Sequence, residues 1–408
     1  MNRRESRNSS FDLCLLVRDS RKSSPERCHT TATAMAATLM DATQPGKRNG
    51  CLCCAFLPDD LFLPEVLKGE VPTEEEEDEL KHDDNEKTPT GTSDERDSAK
   101  CPREALNKIM AAVVPTAGGS VGTVMVDTHS HAQLERDPDE AYTVTTTDDE
   151  SRLSHFQKQS LVSLACAVEE KDWLDTLRYA EASESVLPGI GVHPWYLADL
   201  SSMWLEDMEA LLLQHPNAFV GEIGLCKMAR FLRTYSEGKA AALELQRDVF
   251  KKQMALAARL HRPVSVHCVK QHGVFMKVLD ELLDDDSIPP TIGMHSFTGT
   301  AHQVKDILNW EQKHFPGQVV FYFGFSHMVN YAMCSSDKSR RKGREAVRAV
   351  PNNRLMAESD VHASADTAVG TAGAIAYIAD CIGEPLVTVA NITSRNGLAF
   401  LKSNITLH

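Results

Sequence analysis

Long hydrophobic runs are missing from this chain of 408 residues. No apolar stretch approaches the ~20 residues that a membrane-spanning helix needs, so no membrane partner is expected. An excess of positive charge is missing too: Lys and Arg number 43 against 58 Asp and Glu, a formal net charge of -15. That balance argues against a protein that coats nucleic acid with a basic surface. It leaves room for a local anion site, because bound divalent metals neutralise site carboxylates, and much of the acidity sits in the run from Glu74 to Glu79, which reads as a solvated tail. The 11 cysteines lack regular spacing and no secretory leader is recognisable, so reduced thiols in the cytosol or nucleus are expected instead of a disulfide scaffold. The first fifty residues carry several Arg and Ser, but Glu5, Asp12, Asp19 and Glu26 interrupt them, which makes a mitochondrial presequence the lesser reading. The cluster Cys51-x-Cys53-Cys54 has no second Cys/His pair at zinc spacing nearby and reads as thiols on a flexible segment.

What is present divides the chain in two. Up to about residue 100 there is no sustained period of about 2 or 3.6 residues, and the polar stretch from Val71 to Lys100 cannot bury enough apolar surface to offset chain entropy. Residues 1–115 are therefore expected to be a mostly disordered extension whose protein partners the sequence does not identify, with a short helix over Arg103 to Val113 leading into the folded part. From Thr123 onward short apolar runs alternate with stretches of helical period, the texture of repeated βα units. Candidate strands are Thr123 to His131, Ser160 to Val168, Leu187 to His193, Ala218 to Gly224, Pro263 to Val269, Thr291 to Phe297, Val319 to Phe325 and Arg354 to Asp360. Helices are expected over Trp173 to Ala182, Trp204 to Gln214, Ala240 to Leu260, Val274 to Asp284 and His302 to His314, with closing helices in Gly370 to Leu401. An α/β fold follows: residues 123–405 as a (β/α)8 TIM-like barrel, with a doubly wound open sheet as the alternative.

Chemistry-bearing residues gather at strand ends. In Asp127-Thr128-His129-Ser130-His131 the acid and both imidazoles recur at period two and point to one side of the sheet. A lone His-x-His is weak evidence of a metal. Its weight rises because Glu222, His267, His295 and Asp360 each close another candidate strand, where barrel enzymes build their sites. Separately, Glu222 reads as an ion-pair partner, His267 and His295 as core histidines, and Asp360 as a helix cap; one metal site accounts for all of them. Imidazole nitrogen and carboxylate oxygen suit one or two divalent ions, Mg, Mn or Zn, with positions left open for water and substrate.

These residues also carry a family resemblance. Asp127 to His131, Gly191-Val192-His193-Pro194-Trp195, Gly221-Glu222-Ile223-Gly224-Leu225, Pro263 to His267, Met294-His295-Ser296-Phe297-Thr298-Gly299 and Glu358-Ser359-Asp360 occur in the order of the TatD family of metal-dependent deoxyribonucleases. The similarity runs from about Val124 to the C-terminus and leaves out the N-terminal extension. The His193-Pro194-Trp195 and Val264 to Val269 forms look more like a divergent fungal or protist branch than the bacterial enzymes. The resemblance implies a hydrolase metal site on a barrel. In it His129 and His131 would hold one metal, Glu222 would bridge two, His267 with His295 would hold the second, and Asp360 would be ligand and base beside a metal-bound water. Asp127 would orient a ligand histidine from outside the ligand set, and the catalytic pair would be Asp360 and Glu222.

There are departures from the family pattern. Cys226 stands where an acid usually follows Gly-Glu-Ile-Gly-Leu, Val269 stands where an arginine often follows the fifth-strand histidine, and Ser359 replaces the usual Thr. They leave the metal set intact and bear on substrate and rate. The substrate implied is DNA or another phosphate ester, and the cations available to hold it are Lys227, Arg230 and Arg233 after strand 4, Lys270 after strand 5, and the run Lys338 to Arg344 with Arg340 and Arg341 at its centre; His193 joins them as a substrate contact. For the basic run, a solvated helix face or a nuclear import patch is the plain alternative. Two competing functions remain: an amidohydrolase-type enzyme on another ester or amide, and a weak or inactive barrel serving as a binding scaffold, which Cys226 and Val269 would suit.

Overall fold

Eight parallel strands follow one another around a single sheet in chain order, from β1 to β8. They are β1 (Met125–Ser130), β2 (Leu161–Cys166), β3 (Val186–Ile190), β4 (Phe219–Cys226), β5 (Val264–Val269), β6 (Ile292–Met294), β7 (Phe321–Ser326) and β8 (Leu355–Glu358). In this computed structural model residues 101–112, 125–134, 160–318, 320–334 and 336–401 are described; the expected extension lies outside them except for residues 101–112. The two sheet edges meet at the carboxyl ends of β1 and β8, where Asp360 N–H donates to His129 O at 3.0 Å and His131 N–H donates to Val361 O at 2.8 Å. The order and this seam give the expected barrel; a doubly wound sheet would break chain order at a switch point.

Ten helices frame the described residues: α1 (Pro102–Ala112), α2 (Trp173–Glu181), α3 (Trp204–Gln214), α4 (Phe231–Thr234), α5 (Lys239–Arg259), α6 (His272–Asp284), α7 (Ala301–His314), α8 (Asp337–Ala349), α9 (Thr367–Ile382) and α10 (Leu386–Leu401). Capping residues set two of the starts. Thr300 at α7 and Ser336 at α8 each accept the backbone N–H three residues on, at 3.2 Å, satisfying an otherwise unpaired donor of the first turn. The larger apolar core lies between strands and helices and includes Ile190, Val220, Phe250, Phe275 and Phe321. A smaller one gathers Val126, Leu187, Phe219, Tyr322 and Met356, each first or second in its strand, and Leu164 of β2 around Phe400 of α10. With that end filled, polar side chains are left the carboxyl ends of the strands, the face on which such barrels carry their sites.

Two expectations need correction. The boundary near residue 115 assigned α1 to the extension, yet Ala105, Leu106 and Ile109 are fully buried in the main core and α1 packs on α9. Apolar residues at helical spacing found a partner that the local sequence did not reveal. Several strands are also shorter than expected: His193, His295 and Asp360 lie past the ends of β3, β6 and β8. The backbone leaves the ladder there, with Ser296 at φ 36° and Asp360 at φ 55°, a left-handed region that non-glycine residues seldom occupy.

Candidate metal centre

Glu222, in the middle of β4 and not at its end as expected, is 3% exposed, and its two carboxylate oxygens face different imidazoles. Oε2 lies 3.4 Å from His129 Nε2 and 3.3 Å from His131 Nε2. Oε1 lies 2.9 Å from His267 Nδ1, 3.4 Å from His193 Nε2 and 3.6 Å from His295 Nε2. Asp360 faces the same space, with Oδ1 3.8 Å from His131 Nε2 and Oδ2 3.7 Å from His295 Nε2. Among the described residues three sets of donors are close enough to share an ion: His129, His131 and Glu222; His129, His295 and Asp360; and His193, Glu222 and His267.

The sequence-named residues therefore meet, grouped otherwise than the resemblance implied. His193, read from sequence as a substrate contact, stands with Glu222 and His267, while His295, paired in that reading with His267, stands with His129 and Asp360. Asp127 bonds the seam: it accepts Ser359 N–H at 2.8 Å, Ser359 Oγ–H at 2.6 Å and His129 N–H at 3.3 Å. Its action is on the backbone that carries His129, and it ties β1 to β8. Lys227 and Lys270 are exposed at the ends of the adjacent strands β4 and β5, and Arg341 is exposed on α8. Arg340 is partly committed, its Nε–H donating to Cys334 O at 2.9 Å.

Partners behind the rings were not legible in sequence. His129 Nδ1 is 2.8 Å from Ser265 Oγ, His131 Nδ1 is 2.8 Å from Cys166 O, and His295 Nδ1 is 3.1 Å from Glu358 Oε2. Each contact occupies one ring nitrogen and turns the other toward the centre, the usual way a protein orients a metal-binding histidine. Glu358 also accepts Ser296 N–H at 2.7 Å, and Ser296 Oγ–H donates to Asp360 Oδ2 at 3.0 Å, so the loops after β6 and β8 hold one another. Gly324 is needed for this: a Cβ there would collide with the Glu358 carboxylate. The only signal available was the position of Glu358 within the Glu358-Ser359-Asp360 motif.

The electrostatics suit cation binding. Burial acts to raise the Glu222 carboxyl, but the surrounding His193, His295 and His129 overcome it and hold it well below the usual range. Burial opposes the charged form of His267 and His295, yet hydrogen bonding and nearby anions win and lift them to about 10 and about 9. His193 goes the other way: burial carries it well below the ordinary histidine value. Burial lifts Asp127 to about 7 against the hydrogen bonds from Ser359. Without a metal, protons on His267 and His295 counter the Glu222 and Asp360 charges. Imidazoles and carboxylates converging from separate strands fit a divalent ion of the Zn, Mn or Mg type.

Comparison with known proteins gives the family. A model of the family described as TatD related DNase matches residues 126–402. Cut9-interacting protein scn1 of Schizosaccharomyces pombe is 29% identical over 200 residues, 40% of this chain and 56% of that protein. The 3'-5' RNA nuclease TATDN2 of Homo sapiens is 26% identical over 240 residues, covering 58% of this chain and 28% of its own length. The 3'-5' ssDNA/RNA exonuclease TatD of Enterobacter lignolyticus is 33% identical over 177 residues, 42% of this chain and 55% of that one. This chain thus spans little more than half the length of the first of these relatives and less of the second. Among solved structures, the TatD homolog YJJV of Escherichia coli aligns with a TM-score of 0.51 at 22% identity, over 67% of this chain and 96% of that one, a likeness of fold. With the family model spanning the barrel from β1 to the end of α10, the chain belongs to the TatD related DNase family.

Proposed function

We propose that this protein hydrolyses phosphodiester bonds and is a deoxyribonuclease of exonuclease type. Membership of the family supports a metal-dependent hydrolase; the proposal adds the bond and the substrate. One observation carries it: Glu222 directs one oxygen to His129 and His131 and the other to His193, His267 and His295, the arrangement of a carboxylate that bridges two cations. Divalent ions held there would supply Lewis acidity and lower the pKa of a water at neutral pH.

The chain's own residues supply the rest. Asp360 is held ionised: burial would raise its carboxyl, but His295, His129 and His131 lower it. With one oxygen toward His131 and the other bonded by Ser296 Oγ–H, it is oriented to accept a proton at the mouth of the centre. Lys227 and Lys270, exposed beside the end of β5, offer charge to a phosphate where Val269 offers none. Arg341 on α8, which starts on the same end of the barrel, can hold a more distant phosphate. The nuclease names of TATDN2 and of the Enterobacter TatD support this substrate class. Glu222 at the bridging position favours it over an amidohydrolase reading, in which a modified lysine commonly bridges.

The test is cleavage of end-labelled single- and double-stranded oligonucleotides across Mg, Mn and Zn, beside elemental analysis of the purified protein. Metal retention with stepwise shortening that a chelator abolishes is the expected result. Metal retention without cleavage of any oligonucleotide would overturn the substrate, and a protein that retains no metal would favour the scaffold reading.

A further inference from the structure

One buried sulfur borders the centre in surroundings that hold it in place. Cys226 ends β4 and is 1% exposed. Its backbone is clamped by one side chain: its N–H donates to Gln246 Oε1 at 2.9 Å, and its carbonyl accepts Gln246 Nε2–H at 3.2 Å. The same Gln246 amide reaches Pro194 O at 3.1 Å, joining the end of β4 to the loop that carries His193. The indole Nε1–H of Trp195 donates to the Cys226 sulfur at 3.1 Å. That sulfur lies against the ring of His267.

His267 differs from three other imidazoles of the centre. His129, His131 and His295 each have an oxygen behind one ring nitrogen. His267 presents Nδ1 to Glu222 Oε1 at 2.9 Å, while its Nε2 is buried without a hydrogen-bond partner. A histidine that gives one nitrogen to a metal is oriented by an acceptor near the other, and sulfur is a weak acceptor able to serve. Gly224 makes the fit possible from below. A Cβ there would overlap the His267 backbone carbonyl, so only glycine lets β4 approach β5 this closely.

We infer that Cys226 is a positioning residue for the metal position built from His193, Glu222 and His267: its sulfur, held by Trp195, backs the His267 ring and fixes the nitrogen that faces Glu222. The inference rests on the metal-centre reading. It assigns the orienting role to a sulfur where His131 and His295 use oxygen, and it gives Trp195 a part in metal affinity through an N–H that touches no ligand candidate.

The experiment is zinc titration by calorimetry of the full chain after chelation, for the parent, Cys226→Ala, Cys226→Ser and Trp195→Phe. The parent is expected to take two equivalents. Cys226→Ala and Trp195→Phe should each weaken the second equivalent by about 10–100-fold and leave the first unchanged, whereas Cys226→Ser, which keeps an acceptor, should recover most of the loss. Circular dichroism melts of the metal-free variants report folding, and Trp195→Phe decides the question if Cys226→Ala does not fold. Either folded variant binding both equivalents as the parent does overturns the inference. So does a sulfur-to-cobalt charge-transfer band in the cobalt-loaded parent, since the sulfur would then be a ligand itself. A parent that takes up no zinc would overturn the metal-centre reading, an outcome distinct from unchanged variants of a metal-binding parent.

Discussion

Asp360 donates its backbone N–H to the carbonyl of His129 at 3.0 Å across the seam between β8 and β1. The residue proposed as base is thereby placed against a ligand candidate by main chain, and its carboxylate can be altered without releasing that contact. Asp360→Asn should lower oligonucleotide cleavage by about 10²–10⁴-fold, the usual weight of a general base, with metal content largely kept. Glu222→Gln should lower metal stoichiometry as well as activity, because both of its oxygens face imidazoles. Elemental analysis beside single-turnover cleavage separates the two; parent-like rates in both variants would assign any cleavage to another site.

Proton linkage gives the second prediction. His267 and His295 are raised to about 10 and about 9, so near neutral pH the metal-free protein carries protons that an incoming metal must displace. Zinc binding near pH 7.5 should release protons, read as a dependence of calorimetric heat on buffer ionisation enthalpy. The stability sign follows the raised values. The two histidines stabilise the metal-free fold fully below their unfolded value of about 6.5, and that contribution is lost as pH rises through about 9 to about 10. The melting temperature of the metal-free protein should therefore fall from pH 7 to pH 10, and a rising one would contradict the proton assignment.

The basic face of α8 is separable residue by residue. Lys338, Arg341 and Lys342 are exposed, while Arg344 pairs with Asp380 and Arg340 contacts Cys334 O. Replacing Lys338 and Arg341 by Glu should weaken binding of single-stranded oligonucleotide and flatten its salt dependence, each lost phosphate contact removing about 0.7 from the log–log slope. Metal content should not change. An unaltered slope would return this face to the solvated-surface reading.

Packing of α1 yields the fourth prediction. Leu106 is 1% exposed and Ile109 is 2% exposed within the main core. Leu106→Ala should cost about 2–5 kcal/mol, the range for a buried large-to-small change, measured by denaturant unfolding. A chain truncated at residue 115 should lose more, since the whole helix goes. Parent-like stability of that truncation would mean that α1 contributes nothing to the fold.

Much of this molecule was legible in sequence because its signals are local. Alternating apolar runs and helical periods marked all eight strands, and β4, β5 and β7 begin and end within a few residues of expectation. Glu222, His129, His131, His267, His295 and Asp360 are legible because polar groups in apolar strands stand out against their surroundings. The limits of β6 and β8 were not legible: Thr291 to Phe297 reads as one extended run, and the turn at Ser296 arises from bonds to Glu358 and Ser326 on neighbouring strands.

By itself the sequence determined the βα repeat and the chemical identity of the donors, because hydrophobic period and residue type are properties of the chain alone. Tertiary structure decided how those donors pair. His193 stands with Glu222 and His267, Asp127 bonds backbone at the seam of β1 and β8, α1 belongs to the core, and Cys226 lies behind His267. Each of these depends on which strand lies beside which and on where a loop leaves the ladder, distances between residues far apart in the chain that no local pattern encodes.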